Sequence, residues 1–154
     1  MEAELHHSST PASPELFVPS STTKATEMMR LARKISLTSS FDRVKIGAVI
    51  AKGTTVLALA SNRPKSHPMQ FKFNNKAKRI APRHHVHAEM GALINAEREG
   101  INVRGSTIYV YRRLASGALG CSKPCAACEA ALKEAGIRNV YWTSPHGYLS
   151  CSIE

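Results

Sequence analysis

Four side chains in this sequence have the types and spacing for metal-assisted hydrolysis. His87 and Glu89 flank one residue in His87-Ala88-Glu89, and Cys125 and Cys128 stand three apart in Pro124-Cys125-Ala126-Ala127-Cys128. An imidazole nitrogen and two thiolates are good zinc donors, and three protein ligands leave a fourth position for water, whereas a closed structural site wants a fourth protein ligand. Cysteines three apart on a helix share a face, so both sulfurs reach one ion. Both would lie in the first helical turn, where the positive end of the helix dipole favours thiolates. Bound zinc lowers the pKa of its water from about 15.7 toward roughly 7. Glu89 is close enough to His87 to face that water without ligating the ion, and would serve as both base and acid. Alone, the cysteine pair also fits a redox centre, and His-x-Glu fits an ordinary polar cap. Together, with a proline directly before Cys125 and a strand between the two helices, they point to Zn2+ held by His87, Cys125 and Cys128 with Glu89 as proton carrier.

The surrounding pattern must bring those helix ends together. Residues 1–21 are rich in Ser, Thr, Pro and Glu, have no apolar periodicity, and read as a flexible tail. Folded structure, residues 22–154 as a single domain, should begin near Thr22 or Thr23 as a helix cap, with Met28, Leu31, Ala32 and Ile35 at helical spacing. Val44 to Ala51 reads as a buried strand, Lys52-Gly53 as a turn, and Thr55 to Ser61 as the second arm of a hairpin. Residues 62–85 are polar, basic and punctuated by Pro64, Pro68 and Pro82, and read as a long loop. A helix from about His87 to Glu99 ends at Gly100, and Thr107 to Tyr111 is a strand. A glycine-bearing loop from Leu114 to Lys123 follows. Pro124 then sits where a first helical turn places it, and an alanine-rich helix runs to Ala135, stopped by Gly136. Asn139 to Thr143 is a fourth strand and Tyr148 to Ser152 a last one. The order predicts a mixed sheet with helices packed on it, the third and fourth strands parallel.

The chain has 154 residues and a formal net charge of +10. No acidic residue falls between Asp42 and Glu89, and that interval holds ten Lys and Arg, from Arg43 to Arg83. This basic segment, 43–83, suits a phosphorylated or polyanionic partner, nucleic acid included, and equally a solubilising surface. The longest apolar run, Ile46 to Ala51, is far too short to span a bilayer, so no membrane association is expected. No secretory pattern opens the chain, and four cysteines then fit reduced thiols in the cytoplasm. His6-His7 reads as a solvated pair.

The motifs His87-Ala88-Glu89-Met90, Thr107-Ile108-Tyr109-Val110, Lys123-Pro124-Cys125-Ala126-Ala127-Cys128 and Leu132-Lys133-Glu134-Ala135-Gly136-Ile137 resemble the cytidine and deoxycytidylate deaminase superfamily, in particular its small phage- and bacterium-type members. The resemblance spans roughly residues 22 to 150. It implies an α/β fold, a three-layer α/β/α sandwich around a mixed five-stranded sheet. It implies conversion of a cytosine base to uracil, with zinc on His87, Cys125 and Cys128 and proton shuttling by Glu89. It also implies that the backbone N–H of Ala88 contacts the base carbonyl and that Asn62 contacts the nucleoside. Two positions depart from the pattern: Ala60 stands where the family usually has glycine, and Gly91 where many deoxycytidylate deaminases have asparagine. The insert lacks the cysteine ligands of regulated members, and His67, His84 and His85 read as solvated loop histidines.

Only about eleven residues follow the fourth strand, too few for a parallel crossover, so the last strand should be antiparallel. In the superfamily that arrangement resembles the free-cytidine branch, which favours a small nucleoside or nucleotide substrate. The alternative is a single-stranded nucleic acid tracked by the basic loop 62–85, although only Phe71 and Phe73 are there to stack on bases, and they equally fit anchors of the loop to the core. A non-catalytic zinc-stabilised module is a third reading. Cys121 and Cys151 read as small buried thiols, Tyr141 and Trp142 as core. Family resemblance further implies a homo-oligomer.

Overall fold

The computed structural model describes residues 15–17, 23–77 and 85–153. His6, His7, His84, Lys78, Arg79, Pro82 and Arg83 lie outside these residues. The elements are β1 (Glu15–Phe17), α1 (Lys24–Ser36), β2 (Val44–Lys52), β3 (Thr55–Ser61), β4 (Arg63–Ser66), α2 (Pro68–Lys76), β5 (His85–Val86), α3 (Ala88–Arg98), β6 (Thr107–Leu114), α4 (Ala126–Ala135), β7 (Asn139–Ser144) and β8 (Gly147–Ser152).

Period-2 alternation along the central strands sorts their side chains onto two faces. Val49, Ala51, Tyr109 and Tyr111 meet the buried stripe of α1, which presents Met28, Met29 and Ala32. Ala48, Ile50, Ile108 and Val110 point the other way, against residues of α3 and α4. Thr23 caps α1, its hydroxyl accepting the Thr26 N–H at 3.1 Å. The helix lies so close to β2 that a Cβ added at Gly47 would overlap the backbone of Ala32 and Ser36.

The main sheet has the order β1-β8-β7-β6-β2-β3. β6 and β7 are parallel, joined through α4, and the other pairings are antiparallel. β8 returns through the turn at Ser144 and Gly147 and is antiparallel to β7, as its short connection requires. The five expected strands are therefore present in a mixed sheet between helical layers. β1 adds a sixth, with Glu15–Phe17 set against Tyr148–Ser150 within the segment expected to lack structure. Three residues are too few to show alternation, and the free edge of β8 supplies the pairing.

The basic insert also differs from expectation. β4, α2 and β5 occupy much of what reads as a loop. Pro68 starts α2, and the His67 ring caps it by accepting the Met69 N–H at 3.1 Å. The helix buries Gln70, Phe73 and Asn74. Two polar residues among the three inward positions erase the apolar stripe that would have announced a helix.

Candidate metal centre and its cleft

α3 and α4 both begin at the end of the sheet where β6 finishes. His87 is the N-cap of α3 and Cys125 the N-cap of α4, both with extended backbone. The two side chains turn toward each other, the His87 Nδ1 and the Cys125 Sγ 3.6 Å apart. Cys128 is the third residue of α4, the position whose side chain normally meets the N-cap. Pro124 lies outside α4, directly before the N-cap and not in the first turn as expected, where it restricts the approach to Cys125.

The imidazole Nδ1 of His87 is 3.6 Å from the Cys125 Sγ and 3.3 Å from the Cys128 Sγ. A tetrahedral ion with Zn–N near 2.0 Å and Zn–S near 2.3 Å would hold such atoms about 3.5 Å apart. The three donor atoms lie within 4.8 Å of one another, and no fourth His, Cys, Asp or Glu joins them among the described residues. One nitrogen and two sulfurs fit zinc, with one coordination position left open. The Cys125 thiol is pulled down to about 3, chiefly by its hydrogen bond with Cys128, with further help from His87, against the opposing effect of burial. It is a thiolate at neutral pH, the form a metal needs.

Glu89, in the first turn of α3, is 5% exposed. Burial raises its carboxyl to about 7, although the His87 charge and the residue's own backbone N–H act in the opposite direction. Glu89, His87 and Cys125 share one cleft of about 420 Å³. Phe41, Val44, Ile46, Asn62, His85, Arg112 and Lys123 form much of its remaining wall. A volume in the range of roughly 300–1,000 Å³ is typical of small-ligand pockets.

Asn62 sits on this wall with its amide already engaged. Its Oδ1 accepts the Ile46 N–H at 3.0 Å and its Nδ2 donates to the Val44 carbonyl at 3.1 Å. One amide hydrogen and one lone pair remain for another partner. Ala88 is fully buried as the first residue of α3, where a backbone N–H has no partner within its helix.

Three features of the site were not visible as motifs. Gln70 of α2, fully buried, accepts the His87 N–H at 3.0 Å and donates to Asn74 at 2.9 Å. It ties the insert to the residue carrying the imidazole. Ser122 and Thr143 bond to each other, to the Val110 carbonyl and to the Gly120 carbonyl, fixing the loop that leads into Cys125. Arg112 occupies the face of β6 that Ile108 and Val110 give to the core. That break in alternation was the available signal.

Several side chains differ from expectation. Cys121 is exposed and lines the cleft, because its chain stays at the surface where its carbonyl accepts from Arg112. Cys151 is half-buried. His67 is a helix cap, and His85 is a partly buried cleft residue against the Phe41 ring, 5.3 Å between centroids. Phe73 is buried while Phe71 is exposed. Trp142 is core as expected, and Tyr141 stacks on Tyr109 at 5.0 Å. The basic residues scatter: Lys72 and Lys76 face Glu134 of α4, and Lys52 reaches the Arg104 carbonyl at the end of β2 away from the cleft.

A family model described as the cytidine and deoxycytidylate deaminase zinc-binding region matches residues 22–144, a span that contains all three donors and Glu89. The chain belongs to this deaminase family. No curated protein matches the deaminase in a sequence search. Among solved structures it is similar to a cytidine deaminase from Burkholderia pseudomallei, with TM-score 0.60 and 18% identity over 82% of this chain and 91% of that one. It is also similar to the apo dCMP deaminase of cyanophage S-TIM5, with TM-score 0.56 and 21% identity over 78% of this chain and 82% of that one. These likenesses establish the fold. The deaminase's two departures from the family pattern also meet in space: a Cβ at Gly91 would stand 3.0 Å from the Ala60 Cβ. The methyl on β3 occupies room that a larger residue on α3 would need.

Proposed function

We propose that this deaminase acts on the cytosine base of a free nucleoside or nucleotide, cytidine, deoxycytidine or their monophosphates, releasing ammonia and leaving uracil. The observation that carries the reading is Glu89, buried beside a three-donor centre in a cleft of small-ligand size. Zinc held by His87, Cys125 and Cys128 supplies the acidity that makes water a competent nucleophile at neutral pH. Glu89 would take the two protons of the water in turn, passing the first to the ring nitrogen and the second to the amine that departs as ammonia. The Ala88 N–H donates to the base carbonyl, and the spare amide valences of Asn62 meet the sugar.

Two observations favour a free substrate over a polymer. β8 is antiparallel, and the Lys52, Lys72 and Lys76 charges are directed away from a common track. Among the described residues no helix is long and apolar enough to cross a membrane. A cytoplasmic homo-oligomer remains the expectation from resemblance. The test is an ammonia-release panel on zinc-loaded protein with cytidine, deoxycytidine, CMP, dCMP, adenosine and a cytosine-bearing single-stranded oligonucleotide, at two salt concentrations. Turnover of small cytosine substrates with little salt dependence is expected. Activity confined to the oligonucleotide and falling steeply with salt would replace the reading with polynucleotide deamination.

A further inference from the structure

The wall of the cleft carries a cation that the deamination chemistry does not use. Arg112 lies on β6 in register with Ile46, on the side facing the metal centre. The preceding residues on that side, Ile108 and Val110, are fully buried and apolar. An arginine there places a permanent charge where the strand pattern calls for a hydrocarbon. Its position is set from several directions. The Arg112 N–H donates to Thr143 Oγ1 at 3.1 Å, and its carbonyl accepts from Gly120 at 3.1 Å. A Cβ on Gly120 would come within 3.1 Å of the Arg112 Cγ and Cδ, so the glycine makes room for the arginine stem. One end of the guanidinium is anchored, Nη1 donating to the Cys121 carbonyl at 3.1 Å. Its Nε is buried and has no hydrogen-bond partner among the described residues.

Two further groups converge on the same cleft. His85 Nε2 is likewise buried without a partner among the described residues, and Lys123 borders the cleft just before Pro124, although its ammonium lies over the Trp142 ring, 6.0 Å from the centroid. Glu89 is the only carboxylate among the described residues of the lining. A buried N–H left without a partner is destabilising, and a planar guanidinium is suited to bidentate contact with phosphate.

We propose that Arg112, with His85, is a phosphate-recognition subsite, and that the substrate is a free pyrimidine nucleoside 5′-monophosphate. The inference rests on the cytosine-deaminase reading and deepens it. The base occupies the metal end beside Glu89, and the 5′-phosphate takes the unpartnered Nε–H of Arg112 across the cleft. Phosphate contact here is a matter of binding and orientation and involves no covalent step.

The experiment compares zinc-loaded wild type with Arg112→Gln and Arg112→Lys. It measures ammonia release from cytidine, deoxycytidine, CMP, dCMP and a cytosine-bearing oligonucleotide, and calorimetric binding of dUMP and deoxyuridine. Wild type should prefer the monophosphates. Arg112→Gln should lower their kcat/KM about 10- to 100-fold, the scale of a lost charge-assisted contact, while nucleoside turnover changes by less than about twofold. Arg112→Lys should fall between, since charge is kept and the fork is lost. Binding of dUMP should weaken in parallel and that of deoxyuridine should not change. Equal losses on nucleosides and monophosphates would make Arg112 purely structural and overturn the proposal. So would unchanged dCMP turnover, or preference for the oligonucleotide. If wild type releases ammonia from nucleosides with no phosphate preference, the subsite fails and the deaminase reading stands. If it releases none from any compound, that reading fails, and the dUMP arm alone decides the subsite: binding that depends on Arg112 supports it, and its absence rejects it.

Discussion

At the metal end of the cleft, His87 and Cys125 hold the N-cap positions of α3 and α4, with the imidazole 3.6 Å from the Cys125 thiol. At the facing wall, Asn62 has its amide bonded to Val44 and Ile46, and Arg112 is fixed through its backbone by Thr143 and Gly120. The first region turns its donor atoms toward one another. The second uses polar side chains to shape the protein and leaves only a residue of their bonding capacity for a ligand. Substitutions at the two ends should therefore fail differently, the metal end in chemistry and the wall in stability and affinity.

The largest contrast is expected at Glu89. Glu89→Ala should keep its zinc and its fold while ammonia release falls by at least about 10²- to 10⁴-fold, the usual contribution of a positioned acid–base group. Normal turnover by that variant would remove Glu89 from the mechanism.

Next in size is a pH effect on the metal-free protein. The folded-state carboxyl of Glu89 is raised to about 7 from 4.5, so the native state favours the neutral form. Its stabilising contribution is fully present below pH 4.5 and is lost as pH rises through 7. Glu89→Gln cannot ionise. It should match wild type near pH 4 and exceed it in urea unfolding at pH 8 by on the order of 3 kcal/mol. Parallel pH profiles for the two proteins would show that the carboxyl is not held neutral by burial.

At the opposite wall, Asn62→Ala removes two side-chain bonds to the β2 backbone and should cost about 1–3 kcal/mol of stability, without changing zinc content. A drop in bound zinc with unchanged unfolding would reverse the contrast between the ends. The smallest effect concerns Ala60 and Gly91. Gly91→Asn should destabilise by about 1–3 kcal/mol through overpacking. Adding Ala60→Gly should recover part of that loss, a coupling of roughly 1 kcal/mol in a double-mutant cycle. Strict additivity would mean that the two positions do not share space.

The same contrast explains what could be read from sequence. Cys125 and Cys128 are three residues apart on one helix, and His87 and Glu89 are neighbours at another, so their relation is written locally. The hairpin of β2 and β3 and the antiparallel return of β8 were also legible, because connection length limits strand direction. The wall is assembled from the ends of β2, β3 and β6 together with β5, and its contacts join residues far apart in sequence, as between Phe41 and His85 or between Ile46 and Arg112. Arg112 leaves only a broken alternation as its trace. α2 was hidden because Gln70 and Asn74, which bond to each other and support His87, replace the apolar residues of a helical stripe. β1 was hidden because its pairing belongs to β8.

The most direct test of the central claim is X-ray absorption at the zinc edge of the purified, zinc-loaded protein, with zinc content per chain measured on the same sample. The account predicts one zinc per chain with two sulfurs at about 2.3 Å and two lighter N or O neighbours at about 2.0 Å, one light neighbour being exchangeable. A shell of four fixed protein ligands, or zinc retained in full by Cys125→Ala, would contradict it.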